Sequence, residues 1–274
     1  EYGAAFTVSD NGYVGAGSVS LFHFRERWEY VETVFIPFPM GKLKMPSTSN
    51  GGDVVYRDKR LRLEFRSDVE RRMISCDFKD FHEGKPFYCE ITLEQPETDT
   101  ICSAIPGEGK KTFGYSQKIN CMPAEGYMSF DGKTYWFNPE EDYGTLNWCR
   151  GVWPYDNTLY WSSGNGKVGG KPFGFNIGYG FGNTSAATEN ILFYDGKGHK
   201  LDDVMFHIPE HDDGKPWVFA SSDGRFEMEF YPVLDRNSVF SAFLASFERR
   251  RAFGKMSGKA LLDDGRFIEL KDFM

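Results

Sequence analysis

Fifteen residues of this chain, NWCRGVWPYDNTLYW at 147–161, contain three tryptophans, two tyrosines and one arginine. Aromatic side chains with a few polar groups among them are typical of pockets that bind small molecules. The guanidinium of Arg150 stays charged and can hold a carboxylate through two parallel hydrogen bonds. This stretch therefore predicts one wall of an aromatic ligand cavity, with Arg150 as a charged group inside it.

A carboxylate that shares a strand face with apolar residues is found at Glu189, in the segment TSAATENILFYDG. Glu189 has the strand parity of Ile191 and Phe193, so we expect it to be buried and to need a partner. Arg150 is the predicted partner, and Trp148 has the same parity as Arg150. The sequence thus predicts an acid or base at Glu189, with Arg150 setting its charge state.

A glycine-rich strand is predicted at FGFNIGYGFG, residues 173–182. One face carries Phe173, Phe175, Ile177, Tyr179 and Phe181, whereas the other carries Gly174, Asn176, Gly178 and Gly180. Glycine weakens a strand, so three on one face indicate the close approach of another backbone, a bend or a ligand. Asn176 is the sole side chain on that bare face. A bent strand crossed by a packed aromatic ring is an equally open interpretation.

The predicted site gathers these residues into one cavity. Three residues are assigned catalytic roles: Glu189, Arg150 and Tyr155, the last to orient the ligand. Seven are assigned to ligand binding: Trp148, Trp153, Trp161, Asn176, Tyr179, Asn190 and Gln117. A large aromatic core with a structural Arg–Glu ion pair is the alternative explanation of the same pattern.

The elements that position these residues are predicted to be β-strands. Aromatic residues make up 17% of the chain, and it contains 26 Phe and 30 Gly, a composition that favours pleated strands and tight turns. Apolar and charged residues alternate in RLRLEF at 60–65, and again in FYCEITLE at 87–94. Hairpin turns are predicted at Asn11-Gly12, Asn50-Gly51, Asp131-Gly132, Asp195-Gly196, Asp223-Gly224 and Asp264-Gly265.

One segment, NSVFSAFLASFERR, fits a helix through Val239, Phe240, Phe243, Leu244 and Phe247, and fits a strand almost as well. The polar stretch PEHDDGKP at 209–216 is the best candidate boundary. We therefore predict an all-β, antiparallel, lipocalin-like (calycin-like) barrel or sandwich of two β units, 1–208 with the cavity and 209–274 as a smaller unit.

Several function classes are disfavoured. The net charge is −8 without a basic stripe, which argues against nucleic acid as a partner. No apolar run is long enough to span a bilayer. His207 and His211 are separated by Pro209, and GYGFG lacks the last glycine of a dinucleotide fingerprint, so neither metal nor cofactor is predicted. Five cysteines without a C-x-x-C pair favour reduced, slowly reacting thiols and a cytoplasmic location.

Four strings, YSQKINCMPAEG, GVWPY, GFNIGYGFGNTSAATENILFYDGK and SSDGRFEMEF, resemble an uncharacterised family, domain of unknown function twenty-eight-oh-four. More distantly, the chain is similar to lipocalin-like two-domain proteins that include carotenoid hydratases and Diels-Alder cyclases, which implies a pocket formed by paired barrels or sandwiches. The family pattern implies Asp where this chain has Asn147, removing any chemistry that needs that acid, and implies a further C-terminal strand after Met274.

Three functions are consistent with these patterns. The first is binding of a small, largely apolar molecule with acid–base chemistry of the hydratase, isomerase or cyclase type. The second is a carbohydrate-active enzyme that stacks sugars on tryptophan and uses two carboxylates from Glu140, Glu141, Asp142 and Glu189. The third is a carrier without catalysis.

Overall fold

The computed structural model describes residues 2–107, 109–154, 158–210, 214–242 and 245–274, and describes only the backbone of 239–242 and 245–248. Within these residues the regular elements are β-strands, and their pairings are antiparallel. The predicted all-β, antiparallel fold is confirmed.

In chain order the strands are β1 (Tyr2–Asp10), β2 (Val14–His23), β3 (Trp28–Pro37), β4 (Val54–Arg57), β5 (Leu61–Ser67), β6 (Arg71–His82), β7 (Lys85–Glu94), β8 (Ile101–Pro106), β9 (Phe113–Phe130), β10 (Lys133–Phe137), β11 (Tyr143–Val152), β12 (Tyr160–Val168), β13 (Lys171–Tyr179), β14 (Ile191–Tyr194), β15 (Lys197–Lys200), β16 (Val204–His207), β17 (Trp217–Ser221), β18 (Phe226–Ala242), β19 (Ala245–Leu261) and β20 (Phe267–Phe273).

The predicted turns mostly close hairpins. Asn11-Gly12, Asp131-Gly132, Asp195-Gly196, Asp223-Gly224 and Asp264-Gly265 each join two paired strands. At Asp131 and Gly132 both φ angles are positive, 52° and 73°, as a tight two-residue hairpin turn requires. Asn50-Gly51 instead lies in the connection between β3 and β4, which belong to different sheets.

The chain forms two compact units, Glu1–Thr98 with Cys121–Leu146, and Asp99–Asn120 with Asn147–Met274. Both units therefore draw on two separate stretches of sequence. The predicted boundary between residues 208 and 209 lies within the second unit and stays a prediction.

The first unit is a sandwich of two sheets. One sheet has the order β1-β2-β3, and the other runs β10-β9-β7-β6-β5-β4. Their facing sides meet through aromatic side chains, with the rings of Phe6 and Phe87 6.1 Å apart. Leu61 and Leu63 are buried opposite Phe78 and Cys76, so the alternation in RLRLEF marks a strand with one dry face, as predicted.

The second unit contains the sheet β12-β13-β14-β15 and the sheet β16-β17-β18-β19-β20. The odd-numbered residues of β13 pack against the larger sheet, with Phe175 5.6 Å from Phe226 and Phe173 5.4 Å from Phe273 between ring centres. β8 pairs with residues 113–118 of β9 in this unit. β11 and β8 also pair with β9, and none of the sheets closes on itself in the described residues, so a sandwich rather than a closed barrel describes the fold.

The segment that fitted either a helix or a strand is a strand hairpin. β18 and β19 pair continuously across it, with Val239 opposite Glu248 and Phe240 opposite Phe247. The helix interpretation is wrong because the same apolar residues also satisfy pairing between two long strands. Phe243 and Leu244 lie outside the described residues. None of the described residues belongs to a helix that could cross a membrane.

Thiol labelling should follow burial in the native protein. All five cysteines are free, but only Cys76 and Cys89 are buried, whereas Cys102 and Cys149 are exposed. Burial thus supports the expected slow reaction for Cys76 and Cys89 but does not support it for the exposed Cys102. We expect iodoacetamide to modify Cys102 well before Cys76 and Cys89, which should react only after denaturation, as peptide mass spectrometry will show. Equal rates for Cys76 and Cys102 would contradict the assigned register of β6 and β7.

Candidate functional site

The second unit contains a pocket of about 240 Å³. Its wall is formed by β8, β9, β11, β12 and the connections that follow β11 and β13. The lining residues are Ile105, Gly114, Ser116, Lys118, Asn147, Cys149, Trp153, Leu159, Trp161, Phe181 and Glu189. Most of this wall is apolar, and its ionisable carboxyl and amino groups among the described lining residues come from Glu189 and Lys118.

Strand alternation decides which side chains reach this pocket. On β9, Ser116 and Lys118 are two residues apart and face it, and on β11 Asn147 and Cys149 do the same. The residues between them point the other way. Trp148 packs edge-to-face on Tyr115, with ring centres 5.5 Å apart.

Glu189 is the buried acid of the site, with 4% of its surface exposed. Its Oε1 accepts hydrogen bonds from the hydroxyls of Ser103, at 2.6 Å, and Ser116. Its Oε2 is buried and has no hydrogen-bond partner among the described protein atoms. Only one of the two carboxylate oxygens is therefore hydrogen-bonded by the described protein atoms.

Lys118 supplies the positive charge beside this carboxylate. Its side chain is 4% exposed, and its Nζ lies 3.7 Å from Glu189 Oε2. The ammonium donates a hydrogen bond to Asn147 Oδ1. Because an ammonium has three N–H groups, this arrangement leaves donor capacity next to the unbonded carboxylate oxygen.

The predicted pairing of Glu189 with Arg150 is replaced in the structure by the pairing of Glu189 with Lys118. Arg150 is exposed and follows the parity of Trp148, which places it on the face of β11 opposite to Asn147 and Cys149. Parity correctly grouped Trp148 with Arg150, but parity alone does not say which face of a strand lines the cavity.

Two asparagines hold the connection that carries Glu189. Asn176 is fully buried; its Nδ2 donates to the backbone oxygen of Glu189 at 2.8 Å, and its Oδ1 accepts from Trp161 Nε1 at 2.7 Å. Asn190 accepts from the backbone N–H of Gly178 and donates to the backbone oxygen of Asp202. Asn176 therefore fixes both a pocket-wall indole and the backbone of the buried acid.

Close approach of a neighbouring backbone accounts for two of the glycines on the bare face, Gly178 in β13 and Gly180 directly after it. A Cβ at Gly178 would lie 2.4 Å from the backbone oxygen of Tyr160, and one at Gly180 would lie 2.2 Å from that of Thr158. Gly180 also has a φ of +88°, which disfavours any other residue. Close approach of the neighbouring chain is thus sufficient to explain both.

The remaining predicted residues divide into three groups. Trp153 and Trp161 line the pocket. Tyr179 stacks on Tyr160, with ring centres 4.6 Å apart, and Gln117 donates to Thr100 Oγ1 at 3.0 Å. Neither belongs to the lining. Tyr155 lies outside the described residues, as does His211. No group of three or more His, Cys, Asp or Glu side chains that could hold a metal ion occurs in the described ranges.

Sequence reasoning missed Lys118, Ser116 and Ser103. Ser116 and Lys118 stand two residues apart in the string YSQKIN, so they share one face of the strand. Both side chains are buried. Polar residues at i and i+2 of a buried strand, continued by Asn120, were the available indication. Gln117, which was chosen instead, has the opposite parity.

The thiol of Cys149 is the further reactive group on the wall. Burial raises its pKa; Glu189 adds to this rise, and Lys118 opposes it. The residue as a whole retains exposed surface, but the thiol lies at the pocket, where burial acts. At neutral pH the group is therefore a protonated, weakly nucleophilic part of the wall.

Lys200, the last residue of β15, forms hydrogen bonds with the connection that carries Glu189. Its Nζ donates to the backbone oxygen of Thr188 at 2.8 Å, to Thr188 Oγ1 at 3.2 Å and to the backbone oxygen of Asn190 at 2.7 Å. Burial lowers the pKa of Lys200 from 10.5 to about 8, although Glu189 and Asp202 act in the opposite direction. The ammonium thus binds the residues directly before and after Glu189 in the chain. Its hydrogen bonds do not include the Glu189 carboxylate.

Lys200 should make stability depend on pH above neutrality. Between about pH 8 and 10.5 the unfolded state holds more protons at this residue than the folded state, so folding becomes more favourable as pH rises. Below about pH 8 both states are protonated, and the contribution is constant. The melting temperature of the parent minus that of Lys200→Met should therefore increase across this window. A difference that stays flat from pH 8 to 10.5 would contradict the lowered pKa of Lys200.

The family model described as Domain of unknown function (DUF2804) matches residues 1–274, the whole of the sequence. The chain belongs to this family. Comparison with curated proteins gives no match. Among solved structures, that of kievitone hydratase from Nectria haematococca is similar, with 13% sequence identity and a TM-score of 0.56 over 98% of this chain and 81% of that one. At this identity the likeness shows the fold alone, an all-β sandwich of the lipocalin-like kind predicted from the sequence.

Proposed function

We propose that this DUF2804 protein binds a small, largely apolar molecule in the pocket of its second unit and that Glu189 exchanges a proton with it. The observation that carries the proposal is a buried carboxylate oxygen, Glu189 Oε2, without a hydrogen-bond partner among the described atoms of an otherwise apolar wall. Protein groups of this kind are usually satisfied, so an orphaned one at a pocket indicates a functional role.

Two further features support chemistry rather than storage alone. Ser103 and Ser116 donate to Glu189 Oε1, which fits an ionised carboxylate that can act as a base. Lys118 stands beside it and can stabilise negative charge that develops on a ligand. The structural neighbour is a hydratase by name, and hydration, isomerisation and cyclisation each need a proton moved at a defined atom.

The carbohydrate-active alternative has weaker support. Glu140, Glu141 and Asp142 belong to the first unit, whereas Glu189 belongs to the second. Among the described lining residues the pocket offers one carboxylate, and a glycosidase of the usual kind needs two in one cleft. A carrier without catalysis would bind its ligand against the same apolar wall, but it would not need the proton exchange proposed for Glu189 and Lys118.

A variant in which the pocket is filled by a larger side chain distinguishes ligand binding in the pocket from binding elsewhere on the surface. Native mass spectrometry would first identify any apolar molecule that co-purifies, and binding of ethylnaphthalene would then be followed through tryptophan fluorescence. We expect Cys149→Trp, which fills the pocket, to weaken binding by at least about tenfold, equivalent to about 1.4 kcal/mol. The matched change Cys102→Trp, at an exposed cysteine outside the lining, should bind normally. Equal binding by both variants would refute the proposal.

A further inference from the structure

We infer that the ligand is a carbonyl compound with an apolar body, whose oxygen accepts a hydrogen bond from Lys118 and whose adjacent carbon lies at Glu189 Oε2. This inference rests on the proposed function and names its substrate class. It starts from two atoms, Lys118 Nζ and Glu189 Oε2, that are 3.7 Å apart and both belong to pocket-lining residues.

The first step concerns Lys118. Its side chain is almost fully buried, and one of its three N–H groups is donated to Asn147. The distance of 3.7 Å to Glu189 Oε2 is too long for a hydrogen bond, so N–H groups remain to be donated into the pocket. A buried ammonium without enough acceptors is unfavourable, and an uncharged oxygen of the ligand supplies the missing acceptor.

The second step concerns the charge of the ligand. The pocket already contains one cation and one anion, and a second full charge among apolar side chains such as Ile105 and Leu159 would be left without a counter-charge. A neutral acceptor avoids this cost. A carbonyl group fits this chemistry better than a hydroxyl, because a hydroxyl would donate its own hydrogen to Glu189 Oε2 and occupy the oxygen that is to take the proton.

The third step concerns Glu189. With Oε1 engaged by two serine hydroxyls, Oε2 is the oxygen that can take a proton. A C–H bond beside a carbonyl is the acidic bond of such a ligand. The carboxylate takes that proton, the C–H electron pair forms a carbon–carbon double bond, and the carbonyl π pair moves onto the oxygen held by Lys118. Return of the proton to carbon restores the carbonyl, so the step needs no other reactant.

The size of the pocket limits the ligand. About 240 Å³ lies just below the range usual for sites that take drug-sized ligands, and the exposed rings of Trp153 and Trp161 allow a flat apolar body beyond it. Aromatic ketones of one or two rings match these properties. Acetylnaphthalene and benzylacetone are therefore suitable probes, because each has a hydrocarbon counterpart of nearly the same shape.

The test compares each ketone with its counterpart on the intact protein. We expect acetylnaphthalene to bind at least about tenfold more tightly than ethylnaphthalene, and benzylacetone more tightly than butylbenzene, as a hydrogen bond from a charged donor predicts. Equal affinities within both pairs would overturn the carbonyl inference while leaving the apolar pocket in place. Failure of all four probes to bind would overturn the proposed function and the inference with it.

Two variants then assign the atoms. Glu189→Gln keeps Lys118 and should keep the ketone preference, whereas Glu189→Gln combined with Lys118→Met should lose it without leaving an unpaired buried charge. In heavy water the parent should exchange the protons beside the carbonyl of benzylacetone at least about a hundredfold faster than Glu189→Gln, measured by mass spectrometry. A ketone preference that survives in the double variant, or an exchange rate that does not respond to Glu189→Gln, would overturn the assignment.

Discussion

Glu189→Gln is expected to fold, with a loss of stability because the buried Lys118 loses its counter-charge, and to lose proton exchange with its ligand by about 10²- to 10⁴-fold, the usual contribution of a positioned acid or base. The amide keeps the shape of the side chain, and its oxygen can still accept from Ser103 and Ser116. What is lost is the oxygen that takes a proton. Melting temperature and exchange rate should be measured on the same preparations.

Glu64 in the first unit offers a matched control. It is as buried as Glu189, at 4% exposure, but its two carboxylate oxygens are held by Arg62 at 2.6 Å and Arg66 at 3.1 Å. The hydrogen bond from Arg62 is the main cause that keeps the pKa of Glu64 below its usual value, against the effect of burial. Glu64→Gln should therefore cost stability and leave ligand exchange unchanged. If Glu189→Gln shows this same pattern, Glu189 is structural and the proposed role is wrong.

Lys118→Met should be the most destabilising single change in the pocket, with a loss of about 3–5 kcal/mol in the free energy of unfolding. Removing the ammonium leaves the buried carboxylate of Glu189 without the cation 3.7 Å away. Adding Glu189→Gln removes the uncompensated charge, so the double variant should recover most of the loss. Urea unfolding followed by circular dichroism would measure the three variants against the parent.

The recovery is the decisive part of this cycle, because coupled residues deviate from additivity. Two independent losses that simply add in the double variant would show that Lys118 and Glu189 do not interact. Arg150→Met is the matched comparison, since Arg150 is the cation first predicted for this pairing but lies exposed on the other face of β11. We expect it to cost far less than Lys118→Met.

The fold was readable from the sequence because alternation and hairpin turns act locally. RLRLEF and FYCEITLE are strands with one buried face, and Asp131-Gly132 closes the hairpin between β9 and β10 in the way that its residue types predict. The long strands were harder to predict from the sequence. β18 and β19 contain apolar spacings that also fit a helix, and only pairing along their whole length decides between the two.

The site was only partly readable. Parity placed Glu189 among buried residues and singled out Asn176, which contacts the backbone of Glu189. Its cation could not be found in this way, because the partner depends on which strands come together in space. Lys118 and Glu189 are 71 residues apart along the chain, and no local pattern joins them. The nearer aromatic stretch favoured Arg150 instead.

The most direct test of the account is a crystal structure of the protein with acetylnaphthalene bound. We predict the naphthalene rings against Trp153, Leu159 and Trp161, the ketone oxygen within hydrogen-bond distance of Lys118 Nζ, and the acetyl methyl group next to Glu189 Oε2. Ligand density outside this pocket, or Lys118 and Glu189 turned apart into solvent with the pocket filled, would contradict it.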